Sequence, residues 1–307
     1  MRVYVTGASG FVGRHVVDAL RGRGAEVRDE RVDLLDAPAL ERVMDGCEAV
    51  VHIAALYSYE APEEALRRVN VDGTRSVLEA AARAGVRRLV HTSTAGTCGP
   101  VQGRRATEAD AMPAWEQSVP YKRTKLAAER LALIAGAVVV NPTAPMGAGD
   151  ERPTPTGRMV AGVARRRVRG YLPGTGLNVV DVRDVARGHS LALEHGRAGQ
   201  RYLLGGVDMP LGELFARIAA LAGISPPSVR VPYALVQAAA AVGLVNRNEV
   251  RLARLPMYFD SAKAERELGY RAGPVEPALE LSVREALSLP ARRAASARAE
   301  PAIPSRT

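Results

Sequence analysis

Thr6-Gly7-Ala8-Ser9-Gly10-Phe11-Val12-Gly13 lies between a β-branched run, Val3 to Thr6, and a stretch of helical period, Phe11 to Arg21. In that stretch Val12, Val16, Ala19 and Leu20 fall on one side. Few folds accept Gly-x-x-Gly-x-x-Gly with a strand before it and a helix after it. Glycines let the backbone turn sharply and approach a pyrophosphate, and the last lets the helix lie close to the strand. The helix N-terminus adds free N–H groups and a partial positive charge. With 29 glycines in the chain a triplet means little alone, but this one opens the sequence between a strand and a helix. Gly7, Gly10, Phe11, Val12 and Gly13 are therefore expected to hold the phosphates of a dinucleotide.

Short apolar runs alternate with amphipathic stretches through the first half of the chain, the pattern of a parallel sheet covered by helices on both faces. Strands are expected at Val3–Thr6, Glu26–Arg28, Ala49–Ile53, Arg88–Thr92 and Ala137–Val140. Helices are expected at Phe11–Arg21, Asp36–Met44, Asn70–Ala84 and Tyr121–Ala135. Asp36 suits an N-cap with Pro38 in the first turn, and Gly85 suits a helix end. Asn141 to Gly157, with four prolines and three glycines, reads as an ordered loop or a crossing between domains. Helices follow at Gly157–Val168 and Asp184–Glu194, the second N-capped by Asp184, and a strand at Arg201–Leu204. The rest is mainly helical, at Leu211–Ala222, Tyr233–Val242, Ser261–Leu268 and Val275–Ser288. The expected fold is α/β, a doubly wound parallel sheet of Rossmann type over 1–142 and 177–204. A smaller, mainly helical substrate domain takes 143–176 and 205–289. The remainder, 290–307, is too poor in apolar residues to fold.

The 307 residues carry a net charge of +9, which raises the question of nucleic acid. Much of it comes from Arg165-Arg166-Arg167 with Arg169 and from the tail after Pro290. Neither has interleaved aromatics or a nucleic-acid module, so a solvated helix face and an unfolded end are expected. No apolar run reaches the roughly 18 residues of a membrane span, and Met1-Arg2 leads straight into a strand, unlike a signal peptide. A cytoplasmic protein is expected. Cys47 and Cys98 lack metal-ligand spacing and read as reduced thiols, and His15, His52, His91, His189 and His195 are scattered and read as structural. No metal site is expected.

Tyr121-Lys122-Arg123-Thr124-Lys125 opens a helix, with Tyr121 and Lys125 one turn apart on the same face. A nearby ammonium favours a phenolate and lowers its pKa, so the pair can move a proton to or from an oxygen. Arginine outnumbers lysine 39 to 3, yet lysine stands at this position. A guanidinium is differently shaped and does not give up its charge, so it cannot replace a lysine that hydrogen-bonds a ribose and tunes a phenol. Hydroxyls of Thr92-Ser93-Thr94, at the end of a buried strand, suit the stabilisation of an oxyanion.

For the choice of cofactor, the end of the second strand offers both Arg28, fit for a 2′-phosphate, and Asp29, fit for a ribose 2′-hydroxyl. NADP or NAD is expected, leaning to NADP through Arg28.

Together these residues resemble the extended short-chain dehydrogenase/reductase superfamily, the NAD-dependent epimerase/dehydratase family, up to about Ser288. The matching pieces are the glycine loop, Asp33-Leu34, His52-Ile53-Ala54-Ala55, Asn70-Val71-Asp72-Gly73-Thr74, Thr92-Ser93-Thr94 and Tyr121-x-x-x-Lys125. The resemblance implies that Thr94, Tyr121 and Lys125 form the catalytic triad. It implies cofactor contacts from Asp33, Leu34, Ala54, Ala55, Asn70 and Thr92, with Asn141, Pro142 and Thr143 closing over the nicotinamide. The stretches Asn141–Gly147, Arg152–Arg158 and Gly176–Val182 are similar to the hopanoid-associated sugar epimerase group, itself similar to dihydroflavonol-4-reductases. Two departures stand out. The region after the second strand is short, and Leu177 stands where nucleotide-sugar epimerases carry an arginine for the pyrophosphate, although Arg158 could substitute.

An oxidoreductase is expected, interconverting a carbonyl and a secondary alcohol on a small molecule. The alternatives are a nucleotide-sugar epimerase or dehydratase with retained NAD, and a cofactor-sensing protein, which would not need both Tyr121 and Lys125. A homodimer paired through helices such as Asn70–Ala84 is expected, with neither nucleic acid nor membrane as partner.

Overall fold

The computed structural model describes residues 1–289, so the tail 290–307 lies outside the described residues. The first half runs β1 (Arg2–Thr6), α1 (Phe11–Gly22), β2 (Glu26–Arg28), α2 (Ala37–Met44) and β3 (Ala49–His52). It continues through α3 (Glu63–Arg67) and α4 (Gly73–Arg83), then β4 (Arg88–Thr92), α5 (Pro120–Ile134) and β5 (Val138–Pro142). Next come β6 (Ala144–Met146), α6 (Pro155–Ala164), β7 (Gly170–Tyr171), β8 (Gly176–Asp181), α7 (Val182–His195), β9 (Arg201–Leu204) and β10 (Val207–Pro210). The remainder is α8 (Leu211–Leu221), β11 (Val229–Arg230), α9 (Tyr233–Ala241), α10 (Arg247–Leu252), α11 (Ala262–Leu268) and α12 (Glu276–Ser288).

Six strands form one parallel sheet in the order β2-β1-β3-β4-β5-β9. The two-residue period of a strand sends Val3 and Val5 into one core with Val16, Leu20 and Val185. Tyr4 points the other way, into a core with Leu40, Met44 and Val77. Burial on both faces explains why these strands read as continuous apolar runs. From β1 the chain goes through α1 to β2 on one side, and β3 pairs on the other. That reversal opens a crevice beyond the carboxyl ends of β1 and β3, where the glycine loop sits.

A second, three-stranded sheet has the order β10-β8-β6 and packs against α6, α8 and α12 through Val179, Val160, Leu214 and Val283. Gly176–Asp181 is its central strand, so the chain rejoins the main sheet at α7 and β9 rather than at 177. The alternation of β8 ties the two cores, because Val179 enters the second core and Val180 the first. The edge strand β6 arises within the stretch expected as loop. Pro145 lacks a ladder donor and is tolerated at an edge.

Three further expectations are corrected. The helix expected from Asn70 begins at Glu63 and passes through a π-helical turn, Arg68–Asp72. Asp181 rather than Asp184 caps α7, accepting from Arg183 N at 2.8 Å. Asp184 Oδ2 instead accepts from Gly273 N at 2.6 Å and its carboxylate pairs with Arg187. Arg165 is not part of a solvated face. It donates to the carbonyls of Ala286 and Leu289, orphaned at the end of α12.

Candidate active site

The glycine loop is held from below by Thr6, whose Oγ1 accepts from Ile53 N at 3.1 Å and Ala54 N at 3.2 Å. Gly7 has φ +71°, and a Cβ there would lie 2.7 Å from Ala54 N. A Cβ on Gly13 would meet the carbonyl of Gly7 and lie 2.8 Å from its carbon. Only glycine fits either place. No side chain caps α1 at Gly10, which leaves the N–H groups of the first turn free for an anion.

One cleft of about 1780 Å3 runs from this loop across the sheet edge to the second sheet. It brings together most of the residues expected from sequence. Gly7, Gly10, Phe11, Val12, Gly13, Asp33, Leu34, Ala54 and Ala55 line one part, and Thr92, Thr94, Tyr121, Lys125, Pro142 and Thr143 line another. The hydroxyls of Ser93 and Thr143, also in the cleft wall, are buried without a partner. Free helix N–H groups, a close-approach glycine turn and orphaned hydroxyls at the far side suit NAD(P) laid along the cleft. The glycine loop would hold its pyrophosphate, and Ser93 and Thr143 would face its nicotinamide end.

Three expected residues stand elsewhere. The Arg28 guanidinium donates to Val43 O at 3.2 Å and Asp45 O at 2.9 Å, which turns it under the sheet edge and away from the cleft. Arg31, with Asp29 and Glu30, lines the cleft instead. Asn70, 1% exposed, accepts from Leu56 N at 2.7 Å and donates to Leu56 O and Thr124 Oγ1. It fixes the loop after β3 against α5. Asn141, fully buried, donates to Thr94 O, Thr97 Oγ1 and Glu129 Oε2. It supports the backbone of Thr94 from behind rather than closing over a cofactor.

Pro120, with its pre-set φ, opens α5 and puts Tyr121 in the first turn and Lys125 one turn later. Lys125 Nζ donates to Thr92 O at 2.7 Å, and burial lowers its pKa to about 8 against a partial rise from Glu129. Burial pushes the Tyr121 phenol well above its ordinary value, and the phenol of Tyr57 adds to this. The lowering by Lys125 expected from the sequence does not appear, and burial governs the phenol. Thr94 Oγ1 accepts from Gly96 N at 3.3 Å, which leaves its own proton to donate toward the cleft.

Behind the trio, Glu129 Oε2 accepts from Thr97 Oγ1 at 2.6 Å and Oε1 pairs with Arg201 at 2.8 Å. His52, between Thr6 and Thr74 Oγ1, and His189, between Thr92 Oγ1 and Val185 O, are buried and lowered to about 3 and about 4 by desolvation. Both are neutral scaffold groups.

Sequence reasoning passed over Tyr57 and Tyr59. Their rings lie 4.7 and 5.6 Å from that of Tyr121, tilted and edge-on respectively. Two tyrosines in three residues, in a chain only 4% aromatic, were the available signal.

Residues 3–205 match the NAD dependent epimerase/dehydratase family. The chain belongs to that family. A dihydroflavonol 4-reductase-like protein of Synechocystis sp. is 35% identical, over 90% of this chain and 92% of its own. Sterol demethylase protein B of Methylococcus capsulatus is 32% identical, over 88% and 93%. The crystal structure of gox2253 superposes with a TM-score of 0.82 at 33% identity, over 92% of this chain and 97% of that one. This member of the family is an NAD(P)-dependent enzyme of the extended short-chain dehydrogenase/reductase type, an oxidoreductase or epimerase. Among the described residues no helix is long and apolar enough to cross a membrane.

Proposed function

We propose that the protein interconverts a carbonyl and a secondary alcohol on a small molecule, exchanging NAD(P) at each turnover. A bound NAD(P)H supplies the hydride to the carbonyl carbon. Tyr121 Oη gives its proton to the carbonyl oxygen, and Thr94 Oγ1 donates a hydrogen bond to the same oxygen as charge builds there. A phenol kept neutral by burial is in the right state to give that proton. Lys125 would hold the cofactor's ribose, and through Thr92 O it fixes the register of α5 on β4.

The observation that carries the choice of oxidoreductase over nucleotide-sugar epimerase is Leu177. It lies on β8 in the cleft wall, where an apolar side chain offers no grip on a second diphosphate. The choice between NADP and NAD falls to Arg31 with Asp29 and Glu30, and we place the 2′-phosphate of NADP on Arg31. A homodimer paired through α4 belongs to the same proposal, to be checked by light scattering. So does a cytoplasmic location, in keeping with the unpaired, buried Cys47 and Cys98.

The test is to denature the purified protein and identify any released nucleotide by mass spectrometry. An empty protein that then binds added NADPH supports an exchanging enzyme. Near-stoichiometric NAD would overturn it in favour of an epimerase or dehydratase that keeps its cofactor.

A further inference from the structure

One wall of the substrate side of the cleft is largely apolar from its depth to the protein surface. Leu177 on β8 and Leu211 and Phe215 on α8 line its inner part, and Val236, Val245 and Val250 carry the lining outward. Among the described residues, the lining from Leu172 onward includes no lysine or arginine. Its one charge is Glu249, which faces Arg158 at 3.7 Å.

The outer wall is α9 and α10, and it is an unusual wall. Ala240 is the only buried residue of α9. Leu235 is 61% exposed, Val242 73%, Leu244 77% and Val245 41%. Four large apolar side chains exposed between residues 235 and 245 are more than the scattered exposure of an ordinary surface. The lobe is nevertheless tied down over the catalytic tyrosine. Asn248 Nδ2 donates to Tyr59 O at 3.0 Å, and Arg251 Nη1 to Ser118 Oγ at 3.2 Å. Tyr59 in turn packs edge-on against Tyr121. The exposed apolar surface meets the cleft at Val245, which belongs to both.

We infer that the substrate carries a long apolar body, an alkyl chain, an isoprenoid or a fused ring system, which lies along the path from the cleft to that surface while its carbonyl meets Tyr121 and Thr94. The inference rests on the proposed carbonyl chemistry, and it accounts for features that chemistry leaves unexplained. A diphosphate here would meet Glu249, which already engages the neighbouring Arg158. A small polar substrate would leave α9 and the Val242–Val245 turn facing water with nothing to cover them. An apolar body gains by leaving water at each methylene, and the exposed valines and leucines at the mouth give it a first foothold.

The experiment is a series of straight-chain methyl ketones, from pentanone to undecanone, reduced with NADPH or NADH, alongside thermal shifts with the corresponding alcohols. We expect kcat/KM to rise about fourfold per methylene while the chain fills the path. V245D and L177R should flatten that rise. Ketone reduction that needs Tyr121 but shows no dependence on chain length would overturn the apolar path and leave the oxidoreductase standing. Alcohols that raise Tm progressively with length, in a protein that reduces no ketone, would keep the path and overturn the oxidoreductase. A flat response in both measurements would overturn both.

Discussion

Lys125 Nζ donates a 2.7 Å hydrogen bond to the main-chain oxygen of Thr92, so the lysine of α5 is anchored to the end of β4. The bond settles where the ammonium sits before any cofactor arrives. It also keeps a cation in a place that is 3% exposed. The cost appears as a pKa lowered from 10.5 to about 8.

A lysine whose folded pKa lies below its unfolded value weakens the fold fully below the folded pKa. The penalty is relieved as pH rises from about 8 to 10.5. The cofactor-free protein should therefore gain up to about 3 kcal/mol from this group across that window. Lys125→Met removes the effect. The difference in Tm between wild type and variant should shift toward wild type between pH 7 and pH 10, measured by thermal denaturation. A difference that stays constant with pH would show that Lys125 is not held in this way.

The glycine turn allows a sharper comparison. Gly13→Ala sets a methyl against the Gly7 carbonyl, where only backbone movement makes room, and should weaken NAD(P)H binding at least about tenfold, or 1.4 kcal/mol. Gly22→Ala, in the same helix with nothing within 4 Å, should leave binding unchanged and gain up to about 1 kcal/mol of stability. Fluorescence titration and urea unfolding check the pair.

Cofactor preference should follow position rather than proximity in sequence. Arg28 is spent on carbonyls at the end of α2 and Arg31 lines the cleft, so the two variants should differ. Arg31→Ala should lower the ratio of NADPH to NADH affinity by about tenfold, the 1.4 kcal/mol of a lost charge-assisted contact. Arg28→Ala should leave that ratio where it is.

Much of this was legible in the chain. The glycine loop, Tyr121-x-x-x-Lys125 and the alternating apolar runs each carry their signal within a few neighbouring residues, and the parallel sheet follows from them. What escaped depends on contacts between distant segments. Nothing near Arg28 says that its guanidinium will find Val43 O and Asp45 O. Nothing near Asn70 or Asn141 separates a cofactor contact from a buried bracket. The strand β8 was missed because its pattern serves two cores at once, so Val179 and Val180 are both buried and no alternation shows. The apolar lobe of α9 was legible as a helix, but its exposure is set by what fails to pack against it.

The most direct test of the central claim follows a hydride. Reduced cofactor carrying deuterium at both C4 positions of the nicotinamide is incubated with a methyl ketone and wild-type protein, and the product alcohol is analysed by mass spectrometry. Deuterium should appear on the carbinol carbon, with one cofactor oxidised for each alcohol formed. Tyr121→Phe should bind the cofactor as before and turn over at least about a hundredfold more slowly. Product without deuterium, or a Tyr121→Phe protein as fast as wild type, would contradict the account.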